Sequence, residues 1–151
     1  MKIKLDDLSD PRIEAFLAAH IDDMQAVSPP ESKHALDMES LKAPNISFWT
    51  LWDDNELVGC GAVMQLSDEI GEIKSMRISE TQRGKGYAQA LLNQIIDFAK
   101  QSGLKRLSLE TGSMDFFEPA RKLYLKFGFD YCEPFGNYVK DDNSVFMTRQ
   151  V

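Results

Sequence analysis

Apolar positions in the first third of the chain recur at helical spacing. Ile13, Phe16, Leu17, His20, Ile21 and Met24 line one side of residues 11–27, behind Asp10 as N-cap and Pro11 at the first helical position. Pro29-Pro30 ends that helix, and a second short one is expected over about residues 35–41, before Pro44. The period then changes. Ile46 to Trp52 is rich in β-branched and aromatic residues, Asp53-Asp54-Asn55 is a turn, and Glu56 to Leu66 reads as its hairpin partner. Gly71 to Ile78 is a further strand, but Ile73, Met76 and Ile78 break strict alternation, which predicts a bulge.

The next segment is the most regular. Ala88, Leu91, Leu92, Ile95, Ile96 and Ala99 share one face of a helix over residues 86–101, stopped by Gly103. Lys105 to Thr111 is a strand, Pro119 to Phe127 a helix ended by Gly128, and Phe129–Cys132 and Ser144–Arg149 are final strands. The order α-α-β-β-β-α-β-α-β-β gives an α/β (α+β) fold. It is a mixed sheet flanked by helices, with at least one right-handed β-α-β crossover.

With 151 residues, no repeat and no linker, the chain reads as one domain over residues 1–151. No apolar run approaches a membrane span, and the N-terminus lacks a signal-type h-region, so the cytosol is the expected location. A net charge of −7 argues against a nucleic-acid partner. Cys60 and Cys132 lack metal-type spacing and read as reduced packing residues, and with His20 and His34 far apart no metal is expected. Trp49 and Trp52 also read as packing residues.

One basic run stands against the acidic background. Arg83-Gly84-Lys85-Gly86 links a strand end directly to a helix start. Glycines let the backbone approach a ligand closely, and the first N–H groups of a helix lack intrahelical partners beside its positive dipole end. This is an anion site suited to phosphate or pyrophosphate, with Arg83 and Lys85 adding charge. The spacing matches neither a Walker A loop nor a full dinucleotide fingerprint. Alone, it reads more readily as a glycine-rich turn with a solvated basic pair.

In context the chain resembles the GCN5-related N-acetyltransferase (GNAT) superfamily. Arg83-Gly84-Lys85-Gly86-Tyr87-Ala88 matches that family's Gln/Arg-x-x-Gly-x-Gly/Ala pyrophosphate motif. The helix Ala120-Arg121-Lys122-Leu123-Tyr124-Leu125-Lys126-Phe127-Gly128-Phe129 is similar to its A-x-x-x-Y-x-x-x-G-F pattern. The resemblance covers residues 46–149 in order. Ser28-Pro29-Pro30-Glu31-Ser32-Lys33-His34-Ala35-Leu36-Asp37, Glu72 to Arg77 and Leu109-Glu110-Thr111-Gly112 resemble a bacterial subgroup, the YsnE-like acetyltransferases. Some of that subgroup carry a label for indole-3-acetic acid; fold and reaction are carried over from it, not the acceptor.

The resemblance implies a GNAT fold and direct transfer of acetyl from acetyl-CoA, as co-substrate, to an amine in a ternary complex, without a protein nucleophile. Tyr124 aligns with the general acid. Glu72 is the first choice for general base and Glu110 the second, each equally readable as a surface carboxylate. Cofactor contacts fall to Met76, Arg77, Ile78, Arg83, Gly84, Lys85, Gly86, Tyr87, Ala88 and Lys122, the bulged strand pairing its backbone with pantetheine. Lys33, His34 and Lys74 are the substrate-side candidates. Lys74 and Arg77 either bind an anionic acceptor or pair with Glu72 and Glu110, and His34 is as readily a capping residue. The acceptor expected is a small-molecule amine. A protein lysine or N-terminal amine is the alternative, as is a catalytically weak acyl-CoA-binding module. Homodimerisation through the final strands is an analogy with the family.

Overall fold

A computed structural model describes residues 1–27 and 38–151, with the side chains of His20 and residues 23–27 outside the description. The expected substrate-side residues Lys33 and His34 lie outside the described residues. The elements are β1 (Lys2–Leu5), α1 (Pro11–Val27), α2 (Met38–Leu41), β2 (Ile46–Asp53), β3 (Glu56–Gln65), β4 (Ile70–Ile78), α3 (Tyr87–Gln101), β5 (Arg106–Gly112), α4 (Glu118–Lys126), β6 (Asp130–Cys132) and β7 (Ser144–Gln150). Single 3-10 turns at Glu80–Gln82 and Asp115–Phe117 precede α3 and α4.

The strands form one seven-stranded sheet in the order β1-β2-β3-β4-β5-β7-β6. Only β4 and β5 run parallel, joined by the α3 crossover. The sequence reading omits β1: four residues of alternating Lys and apolar character are too short to carry a strand pattern. Pairing with Trp49–Trp52 of β2 defines this strand.

The two faces of the sheet bury different helices. Leu91, Leu92, Ile95 and Ile96 of α3 and Tyr124 of α4 pack on Ile73, Leu107 and Leu109. On the opposite face Ile13 and Leu17 of α1 and Leu41 of α2 pack on Phe48, Cys60 and Ala62. Asp10 caps α1 through its Oδ1, which accepts the Arg12 N–H at 2.9 Å. Trp49 and Trp52 are buried.

Strand alternation assigns the polar residues of the central strands to a face. Because Ile73 and Leu109 face α3 and α4, their neighbours Glu72, Lys74, Ser108 and Glu110 project toward the α1 side.

Two irregularities open the sheet's centre. Cys60 pairs with Arg77 and Ala62 with Lys74, so Ser75 and Met76 together oppose Gly61. This is the bulge that the broken alternation predicts; Ser75 takes a left-handed φ of 56°. Beyond it β4 and β5 part. Their parallel pairing ends at Ile73 and Leu109, although β4 continues to Ile78 and β5 to Gly112. A gap therefore separates residues 74–78 from 110–112.

Candidate active site

On the α3–α4 face a cavity of about 420 Å³ runs from the mouth of this gap to the start of α3. Met76, Arg77 and Ile78 of the bulged strand, Arg83, Gly84 and Gly86 of the loop, Tyr87 and Ala88 of α3, and Tyr124 of α4 line it. These were all singled out in the sequence, but two others stand apart. Lys85 donates to Gln82 Oε1 at 2.8 Å, and Lys122 is an exposed partner of Glu118 at 3.3 Å. Neither lines the cavity. Phe116, Phe117 and Leu123 complete an apolar wall that the sequence reading missed. The Phe-Phe pair just before Pro119 was its available signal.

Gly84 and Gly86 have φ of 81° and 84°, a region costly for any residue with a Cβ. A Cβ at either would meet nothing within 4 Å, so the requirement is conformational and the space beside the loop is open. The first α3 hydrogen bond runs from Ala90 N–H to the Gly86 carbonyl, leaving the preceding N–H groups to point outward. Tyr87 fastens this turn by donating its hydroxyl to Asp53 Oδ2 at 2.6 Å, which raises the phenol pKa. Backbone donors, a helix dipole and Arg83 thus converge on one mouth of the cavity. Gly86→Val is expected to strain the turn and weaken acetyl-CoA binding about 5- to 30-fold, as read by calorimetry. Unchanged affinity would remove the loop from the site.

Tyr124 is 5% exposed, and its ring meets Phe129 edge-on at 5.6 Å. Burial raises its phenol well above the ordinary value near 10, so its proton is in place at any physiological pH.

Across the gap the chemistry changes. Lys74 Nζ lies 3.1 Å from Glu72 Oε2, with side chains 8% and 4% exposed. Tyr138, from the β6–β7 connection, donates its hydroxyl to the same Oε2 at 2.5 Å and accepts from Lys74 Nζ at 3.0 Å. Of the two readings left open for Lys74, the structure adopts pairing with Glu72. Tyr138 is a site residue that sequence reasoning missed. The guanidinium of Arg77 lies 5.4 Å from the Phe16 ring centroid, so its charge is directed toward α1.

Glu110 is not tied in this way. Burial pushes its carboxyl up to about 7, against the Ser144 hydroxyl and the Lys74 cation, with Glu72 and Asp141 adding to the rise. The sequence pattern gives Ser144 only as a strand end and does not single out Asp141. Cys60 is fully buried, donates its Sγ–H to the Ser75 carbonyl at 3.2 Å, and has its thiol pushed up to about 12. It is no nucleophile. Among the described residues no group of three His, Cys, Asp or Glu side chains could hold a metal, and no helix is long and apolar enough to cross a membrane.

This geometry agrees with what the chain is similar to. Residues 13–129 match the model of the acetyltransferase (GNAT) family, and the chain belongs to that family. It is 52% identical over 151 residues to the uncharacterized N-acetyltransferase YsnE of Bacillus subtilis, covering 100% of both chains. It is 44% identical over 146 residues to the uncharacterized N-acetyltransferase YedL of Escherichia coli, covering 97% of this chain and 92% of that one. A GNAT acetyltransferase of Elizabethkingia anophelis, solved with acetyl-CoA bound, shares the fold at TM-score 0.68 and 18% identity. The match covers 99% of this chain and 97% of that one. The protein is an acetyl-CoA-dependent N-acetyltransferase of the GNAT fold.

Proposed function

We propose that the protein transfers acetyl to the amine of a small molecule by direct attack in a ternary complex, with Tyr124 as general acid and Glu110 as general base. The observation that carries this reading is the gap between β4 and β5. A Tyr124-lined cavity opens on one side of it and Glu110 projects on the other.

The residues present fit acetyl-CoA. The N–H groups of the α3 start and Arg83 suit a pyrophosphate, and the slot walled by Met76, Ile78 and Leu123 suits an apolar-flanked pantetheine. Bound there, acetyl-CoA supplies the thioester acetyl group. The bulge at Ser75 and Met76 interrupts the regular β3–β4 register beside that slot, where strand backbone is suited to pair with pantetheine.

Glu110 takes the proton from the incoming amine, since its poise near neutrality matches a base that must be ionised yet still proton-hungry. Glu72 is less suited, because its Oε2 already accepts from both Lys74 and Tyr138. Tyr124, held protonated by burial, returns a proton to the departing sulfur. Placing the two groups on opposite faces lets amine and thioester approach through the gap from opposite sides. With Lys74 paired to Glu72, the described acceptor side presents the carboxyls of Glu110 and Asp141 beside the Arg77 cation that faces α1, and the acidic pair suits a cationic amine.

Initial rates with acetyl-CoA and an accepted amine both varied test the mechanism. Intersecting lines are expected; parallel lines would indicate a covalent acetyl-enzyme and overturn direct transfer. ATP should fail to displace acetyl-CoA from the purified protein, because the pantetheine slot contributes binding that ATP lacks.

A further inference from the structure

The connection from β6 to β7 spans residues 133–143 without a regular element, whereas hairpin links ordinarily take about two to five residues. A loop of this length needs anchors to hold one conformation. Its C-terminal end is tied to the tip of β5. Ser113 Oγ donates to the Asp142 carbonyl at 2.6 Å, and the Ser113 N–H to the Asn143 carbonyl at 3.1 Å. Its middle is tied by Tyr138. That ring lies 5.2 Å from the Phe135 centroid and 5.4 Å from that of Phe146. The hydroxyl then reaches across 66 residues of sequence to Glu72 on β4.

The three polar groups form a closed triangle. Lys74 donates to both Glu72 and Tyr138, and Tyr138 donates to Glu72. A buried ion pair is costly unless its remaining hydrogen-bonding capacity is filled, and the phenol fills part of it on both partners. The same loop carries Asp141 and leads into Ser144, two of the groups that act on Glu110. The position of the loop therefore bears on the surroundings of the proposed base.

We propose that Tyr138 is a positioning residue for acetyl transfer. Its hydroxyl, shared by Glu72 and Lys74, pins the β6–β7 loop onto β4 and holds the acceptor wall in which Glu110 sits. This assignment rests on the amine-transfer reading above. It gives Glu72, Lys74 and Tyr138 one joint role, that of a latch, and it gives the loop a defined place in the reaction.

Tyr138→Phe tests it, because the variant keeps the stacked ring and deletes only the hydroxyl. Two readouts are independent of turnover. Labelling of Lys74 by acetic anhydride, mapped by mass spectrometry, is expected to rise roughly 5-fold, as a buried amine becomes accessible. Backbone hydrogen exchange across residues 133–143 is expected to speed up, while acetyl-CoA affinity by calorimetry stays within about 2-fold. With the best amine of a panel, kcat/KM for the amine should fall roughly 10-fold with KM for acetyl-CoA unchanged. The same change placed on Glu72→Gln should add little, since both remove one latch. Unaltered Lys74 labelling and loop exchange would overturn the proposal, and so would a turnover defect without them. If the wild type acetylates no amine, the transfer reading fails while labelling and exchange still decide whether the latch exists.

Discussion

Glu110→Gln is expected to lower kcat/KM for the amine about 10²- to 10⁴-fold while acetyl-CoA still binds normally. The expectation follows from place and environment together. Glu110 sits past the last β4–β5 pair, on the face away from α3, where burial holds its carboxyl near 7. A glutamine preserves shape and burial but accepts no proton. In the wild type, kcat/KM should rise with pH through a limb centred near 7 as Glu110 ionises. That limb should vanish in the variant, whereas any limb from ionisation of the amine itself would persist in both.

Stability should move the other way. The folded-state pKa of Glu110 lies above its unfolded value, so the native state binds the extra proton. Stability conferred by that proton is full below about 4.5 and is lost as pH rises through about 7. Glu110→Gln removes this cost. The variant should be more stable than wild type above pH ~7 by up to about 3 kcal/mol, readable as a higher Tm. Lost activity with raised stability is the signature of a strained functional carboxylate. A buried Glu110 with no part in proton transfer would give the same stability gain but leave the pH profile of kcat/KM unchanged, so the kinetic limb is the discriminating readout.

Tyr124→Phe carries the second large effect. Removing the phenol should cut kcat roughly 10²- to 10³-fold with little change in KM for acetyl-CoA, because the ring still packs on Phe129. No alkaline limb from Tyr124 is expected in the wild type at accessible pH, as burial keeps the phenol protonated. Full activity of the variant with every amine would remove Tyr124 from the chemistry.

Local signals made most of the frame legible. The α3 face, the hairpin of β2 and β3, and the bulge in β4 were all written as departures from or agreement with a period. The two glycines of the α3 turn declared themselves because positive φ has few other residue solutions. β1 escaped because its pairing partner, not its four residues, makes it a strand. Tyr138 escaped for a related reason. It lies in an aperiodic loop, and its significance comes from Glu72, far away in sequence. The proposed preference for Glu110 over Glu72 draws on the same kind of tertiary information. Both carboxylates were visible in the sequence, but which one would be occupied by a cation and a phenol depends on tertiary packing. Lys85 and Lys122, basic residues inside the two motifs, contact Gln82 and Glu118 here, an arrangement that motif spacing does not specify.

The most direct test of the account is to incubate the purified protein with acetyl-CoA and a panel of amino acids, polyamines and aminoglycosides, counting thiol released and acetylated product formed. One mole of N-acetylated amine per mole of thiol, for at least one small cationic amine, is the predicted result. Tight acetyl-CoA binding accompanied by no acetylated amine would contradict it.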